Sequence, residues 1–130
     1  MEEKVQDRLA EIEALKPFGE NESGQTHELE NRAASRFMMA YRKSGSINGN
    51  HWHTGSEKKK NPEVLYVLTG KGKLLLKHIE TAETEERTFE APCEIKIYPK
   101  VLHTVQVIED MCFLEMNSLD EHIGDTYYPE

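Results

Sequence analysis

The chain has 130 residues, enough for one hydrophobic core and too few for two. Charged residues make up 31% against 37% hydrophobic, and mean hydropathy is −0.71, so a single core with extensive solvated loops is expected. Sixteen Lys and Arg against 24 Asp and Glu leave a net charge of −8, which argues against nucleic acid and anionic membrane surfaces as partners. The one basic run, Lys58 to Lys60, lies between Glu57 and Glu63 and reads as a solvated loop.

The longest apolar runs, Phe37 to Tyr41 and Val64 to Leu68, span five residues each, where a membrane helix needs about twenty. The start Met1-Glu2-Glu3-Lys4 lacks the apolar segment of a secretory signal. Cys93 and Cys112 are far apart among apolar neighbours, and reduced core thiols are expected. The chain reads as a cytoplasmic protein.

Val5, Leu9, Ile12 and Leu15 recur at spacings of four and three, which predicts a short amphipathic helix over residues 3–15, ended by Pro17 and Gly19. Residues 20–31 are polar and read as a loop. The period then changes to that of strands: 36–42, 51–54 after a Gly/Ser/Asn turn at 44–50, 63–69, 73–79, 87–89, 94–98, 104–108 and 111–116. Residues 80–86 read as a hairpin tip. Short strands at this spacing predict an all-β sandwich or barrel. Residues 1–19 are then helix and linker, 32–119 the barrel, and 120–130 a tail draped over its outside.

His51-Trp52-His53 carries the clearest chemical signal. On a strand, residues two apart share a face, so both imidazoles converge and supply half of a transition-metal site. Glu63 opens an otherwise apolar strand, and a buried carboxylate there requires a positive partner. A metal on His51 and His53 would be that partner. His103 follows the Pro99 turn, where another strand begins. Three imidazoles and a carboxylate leave a divalent ion with two open octahedral positions, an arrangement suited to catalysis or anion binding.

These residues resemble the motifs of the cupin superfamily. Gly45, His51-Trp52-His53, Glu63 and Gly70 follow the first motif, with a longer spacer between His53 and Glu63 that becomes an inserted loop over 55–61. Around His103 the second motif is altered: Tyr98, Lys100 and Val107 stand where the family has Pro, Gly and Asn. The resemblance implies a double-stranded β-helix, or jelly-roll barrel, with His51, His53, Glu63 and His103 holding a divalent transition metal such as Mn, Fe, Ni or Zn. Glu57 has the shorter spacing to the histidines but lacks the apolar strand that follows Glu63, so Glu63 is the preferred carboxylate. A small-molecule ligand or substrate and a homodimer are also implied.

Other residues are secondary. Glu115 and Asn117 share one face of the last strand, expected to be solvated; facing inward, Glu115 would be a general base. Arg36 and Arg42 share a face and read as rim or outer charges, with anion binding as the alternative. His27, His78 and His122 read as structural or exposed. Three functions fit: a metal-dependent enzyme on a small polar metabolite, of sugar isomerase or epimerase type or an iron-dependent oxygenase; a binding module without turnover; and a structural domain with a vestigial pocket. An acid, base or guanidinium beside the metal favours the first, an apolar wall the second, and a pocket plugged by Trp52, Phe89 or Tyr98 the third.

Overall fold

The computed structural model describes residues 9–32 and 36–129. These form β1 (Ala10–Ala14), β2 (Gly19–Asn21), β3 (Gly24–Thr26), β4 (Met38–Arg42), β5 (Ile47–His51), β6 (Glu63–His78), β7 (Thr84–Glu90), β8 (Cys93–Ile97), β9 (Val101–Glu115) and α1 (Leu119–Gly124). Among the described residues no helix is long and apolar enough to cross a membrane. All pairings are antiparallel. One sheet path runs β1-β8-β6-β9-β4, β5 adds to β9, β7 adds to β6, and β2-β3 is a separate hairpin.

Two long strands make the barrel. The first half of β6 lies between β8 and the end of β9; its second half lies between β7 and the beginning of β9. Between the halves the β6–β9 register shifts three times, and both strands pass from one wall to the other. Gly70 sits at this corner with φ +96°; a Cβ there would come within 2.4 Å of the Asp110 carbonyl oxygen. The sequence pattern, read as strands 63–69 and 73–79 and strands 104–108 and 111–116, therefore marks two bent strands. The polar residues between the apolar runs are the corners.

The core lies between the walls. Val67, Leu74, Ile95, Ile97 and Val101 are almost wholly buried there, with Phe89 and Met111 beside them. A second cluster, Val64, Tyr66 and Met116, forms on the outer side under Leu15 and Leu29. Burial on both faces explains the unbroken apolar run at the start of β6.

The helix predicted over 3–15 is corrected where it can be seen: Ala10–Ala14 is a strand, and residues 3–8 lie outside the described residues. Ala10, Ile12 and Ala14 pair with Ile97, Ile95 and Cys93, closing an edge of β8 that would otherwise expose its backbone groups. Helix propensity differences of a few tenths of a kcal/mol per residue do not outweigh that pairing. The tail is corrected too. Residues 119–124 form α1, and Tyr127 then pairs with Trp52, so the segment clasps the barrel end.

Candidate functional site

The site begins with a bulge. Gly49 (φ +90°) and Asn50 (φ +60°) break the β5–β9 register just before His51. A Cβ on Gly49 would lie 2.9 Å from the His103 carbonyl oxygen, so only glycine lets β5 approach β9 here. His51 consequently stands opposite His103, with ring centroids 4.7 Å apart. Strand β5 ends at His51. Trp52 turns outward and stacks on Tyr127 at 5.0 Å, while His53 turns inward, its ring 5.1 Å from that of His51. The turn before His103 is fastened to the same segment, because the Lys100 amide donates to the His53 carbonyl at 2.7 Å. Lys100 holds φ +66° there, at the position where the resemblance expects glycine.

Glu63, buried at the start of β6, is the centre of the cluster. Its Oε1 lies 3.2 Å from Nε2 of His53 and 3.2 Å from Nε2 of His103. Each of these rings donates from Nδ1 to a backbone carbonyl, His53 to Asp125 at 2.7 Å and His103 to Val101 at 3.0 Å, which turns both Nε2 atoms toward the carboxylate. The other oxygen of Glu63 accepts from Lys60 Nζ at 3.0 Å. Lys60 is completely buried; its ammonium also donates to Glu115 Oε2 at 2.8 Å and lies 2.9 Å from His122 Nδ1.

Burial alone would raise the Glu63 pKa, but hydrogen bonds from His103 and His53 and the charges of His103 and Lys60 outweigh it and hold the carboxyl well below its ordinary value. Burial likewise opposes ionisation of Glu115, and His122 and Lys60 reverse the balance against repulsion from Glu63. His51 is pushed down to about 3, first by burial and then by His103, so its ring stays neutral.

The C-terminal segment closes the cluster. Ser118 and Glu121 form a reciprocal capping box at the start of α1, and Glu121 pairs with Lys59 at 2.9 Å. The buried Asp125 carboxylate accepts from the Thr54 amide and hydroxyl, the Gly55 amide and the Glu57 amide, so one side chain organises the loop after His53 while its own carbonyl orients that ring. Trp52 and Tyr127 exchange two backbone hydrogen bonds of 2.9 Å.

Metal donors in a first-row site lie about 2.0–2.2 Å from the ion and so about 3 to 3.5 Å from one another. The donor atoms of His51, His53 and His103 all lie within 4.8 Å of one another, and Glu63 Oε1 is 3.2 Å from two of them. Once both Nε2 atoms are unprotonated, their lone pairs and the carboxylate oxygen converge on one point, so the donor set fits a divalent metal in place of those protons. His122 also approaches His53 and Glu63, with its Nδ1 2.9 Å from Lys60 Nζ and 3.1 Å from Glu115 Oε2. Beside the donors is a cavity of about 120 Å³ whose wall includes Leu65, Phe89, Ile95, Val105, Met111 and Phe113.

All four residues singled out in the sequence, His51, His53, Glu63 and His103, are therefore brought together, whereas Glu57 sits in the loop with a carboxylate oxygen accepting from the Lys59 amide. Four expectations are corrected. Lys60 is the most buried cation of the cluster, because the short turn to Glu63 folds its side chain inward. Glu115 lines the cavity, since odd-numbered β9 residues face inward along both halves. His122 joins the cluster through α1. Arg42 also lines the cavity, over the Phe113 ring at 5.6 Å, while Phe37, Met39 and Tyr41 take the exposed face. Trp52 does not fill the pocket, and Tyr98 donates its hydroxyl to Glu11. Asp125 carried no signal: its role depends on a helix that a polar tail does not announce.

No family model matches the chain, and no curated protein matches it in sequence. Solved structures do. The sugar 3,4-ketoisomerase QdtA from Thermoanaerobacterium thermosaccharolyticum, as a double mutant in complex with TDP, superposes with a TM-score of 0.68 at 19% identity, over 93% of this chain and 88% of that one. A 3,4-ketoisomerase from Helicobacter canadensis gives 0.63 at 15% identity over 82% and 80%. The dTDP-4-dehydrorhamnose 3,5-epimerase of Bacillus anthracis, with TDP and PPi bound, gives 0.62 at 13% identity over 82% and 70%. These neighbours belong to the cupin superfamily. The fold is the RmlC-like cupin jelly roll.

Proposed function

We propose that the protein is a metal-dependent enzyme that moves a proton on a small oxygenated metabolite, an isomerase or epimerase of sugar type. The observation that carries this reading is the junction of two groups: the donors His51, His53, Glu63 and His103, and the acid–base cluster of Glu115, His122 and Lys60 beside them. The sugar ketoisomerases and epimerases among the structural neighbours support the isomerase or epimerase part of this reading; the metal rests on the donor geometry alone.

A bound divalent ion supplies Lewis-acid polarisation of a substrate carbonyl or hydroxyl oxygen. Glu115, kept ionised at the cavity wall, takes the proton from the adjacent carbon and returns it to the neighbouring atom. Lys60 compensates both carboxylates, and His51 stays neutral and available as a donor.

The test is exchange of substrate C–H for deuterium in heavy water, followed by NMR with metal-loaded protein and short aldoses, ketoses and 2-hydroxycarbonyl compounds. Exchange should fall by about 10²–10⁴-fold in Glu115→Gln with metal content kept. No exchange by metal-loaded wild type would favour the second reading, a binding module without turnover. One observation supports that alternative: Glu115 Oε2 already accepts from both Lys60 and Asn117, as a purely structural carboxylate would.

A further inference from the structure

Resting on the metal centre proposed above, we propose that the substrate is a short carbonyl compound, a 2-hydroxycarbonyl or 2-oxo compound whose end away from the donors is hydrocarbon, and that the cavity beside the donors reads that end. The cavity changes character along its length. At one end stand His51, Glu63, His103, Glu115 and His122; the rest of the wall includes Leu65, Phe89, Ile95, Val105, Met111 and Phe113. Its remaining polar side chains are few: the Asn48 amide donates one N–H to Ser46 Oγ, and the Arg42 guanidinium donates one to the Tyr41 carbonyl while lying over the Phe113 ring.

Size and polarity lead to the same class. A cavity of about 120 Å³ is close to the engineered apolar cavity of about 150 Å³ that accepts benzene, so it holds about six heavy atoms. A nucleotide cannot enter it. A hexose exceeds this volume, and with a hydroxyl on nearly every carbon it would set several of them against Leu65, Phe89, Ile95, Val105 and Met111, which offer no hydrogen bond. Two oxygens at the donor end, where the histidines and Glu63 would hold the ion, and two to four carbons against the hydrocarbon wall would fill the space and leave no polar atom stranded.

The experiment uses the full chain loaded with Co(II) and a set of hydroxamates that share one chelating head. Acetohydroxamate, propanohydroxamate and butanohydroxamate add one methylene at a time, and hydroxyacetohydroxamate replaces the propano methyl by hydroxyl. Affinity, read by calorimetry and by the Co(II) absorption spectrum, should rise about fourfold per methylene. The hydroxyacetyl compound should bind at least about tenfold more weakly than its methyl isostere. Val105→Phe should abolish the gain with chain length and keep acetohydroxamate binding; because that variant can fail to fold, the wild-type series stands as a test without it. Equal affinity along the series, or tighter binding of the hydroxyacetyl compound, overturns the proposal while the acetohydroxamate spectrum still reports an intact metal centre. Failure to bind Co(II) at all overturns the proposed function, and the substrate class with it.

Discussion

The two ends of the barrel interior are built by the same strands from opposite chemistry. At one end β6 and β9 contribute Glu63, His103 and Glu115; further along the same inward faces they contribute Leu74, Val105 and Met111. The apolar end needs only shape and burial. The polar end exists because nearly every charge in it has a partner: Lys60 alone serves three groups, and both inner imidazoles are oriented by backbone carbonyls. Burying ionisable groups is costly singly and tolerable as a closed network, so the polar end should fail abruptly when one member is removed.

Lys60→Met should therefore have the largest effect. It leaves Glu63 and Glu115 buried without their cation and should cost about 3–5 kcal/mol, measured by urea unfolding of the metal-free protein. Leu74→Ala, at the apolar end, should cost about 3 kcal/mol by cavity formation and leave metal affinity unchanged. If Lys60→Met proves the milder of the two, the closed-network view of the polar end is wrong. Asp125→Ala should cost about 2 kcal/mol and weaken metal binding by about tenfold or more, because it frees the loop that follows His53 and loosens the segment that orients its ring.

The smallest effect is in pH. His51 titrates near 6.5 when unfolded and near 3 when folded, so the unfolded chain takes up its proton first, and stability of the metal-free protein should begin to decline as pH falls below about 6.5. Glu63 and Glu115 have folded values below their ordinary 4.5, so their contribution is complete above that pH and is lost as the solution becomes more acid. Unfolding curves of wild type and His51→Asn should diverge between pH 6.5 and about 4.5. Parallel curves through that window would show that His51 protonates without penalty in the folded chain.

The same contrast explains what could be read from the sequence. Strand-borne residues were legible: His51 and His53 by spacing, Glu63 by its cost at the head of an apolar strand, His103 by its place after the Pro99 turn. Residues whose role depends on a distant segment were not. Lys60 looks like one of three lysines in a loop, and only the turn into Glu63 carries it inside. His122 and Asp125 lie in a polar tail, and their contribution follows from α1 and the Trp52–Tyr127 pairing, which bring residues more than sixty positions away against the loop after His53. The N-terminal pattern misled for a related reason: Leu9, Ile12 and Leu15 suit a helix locally, but the open edge of β8 takes Ala10–Ala14 as a strand.

Elemental analysis of the purified full chain, reconstituted with divalent transition metals and set beside His51→Ala and His103→Ala, tests the central claim most directly. One ion per wild-type chain, lost from both variants with the fold retained, is the expected result. A wild-type chain that stays free of metal, or variants that keep the ion, would contradict the assignment of His51, His53, Glu63 and His103 as its ligands.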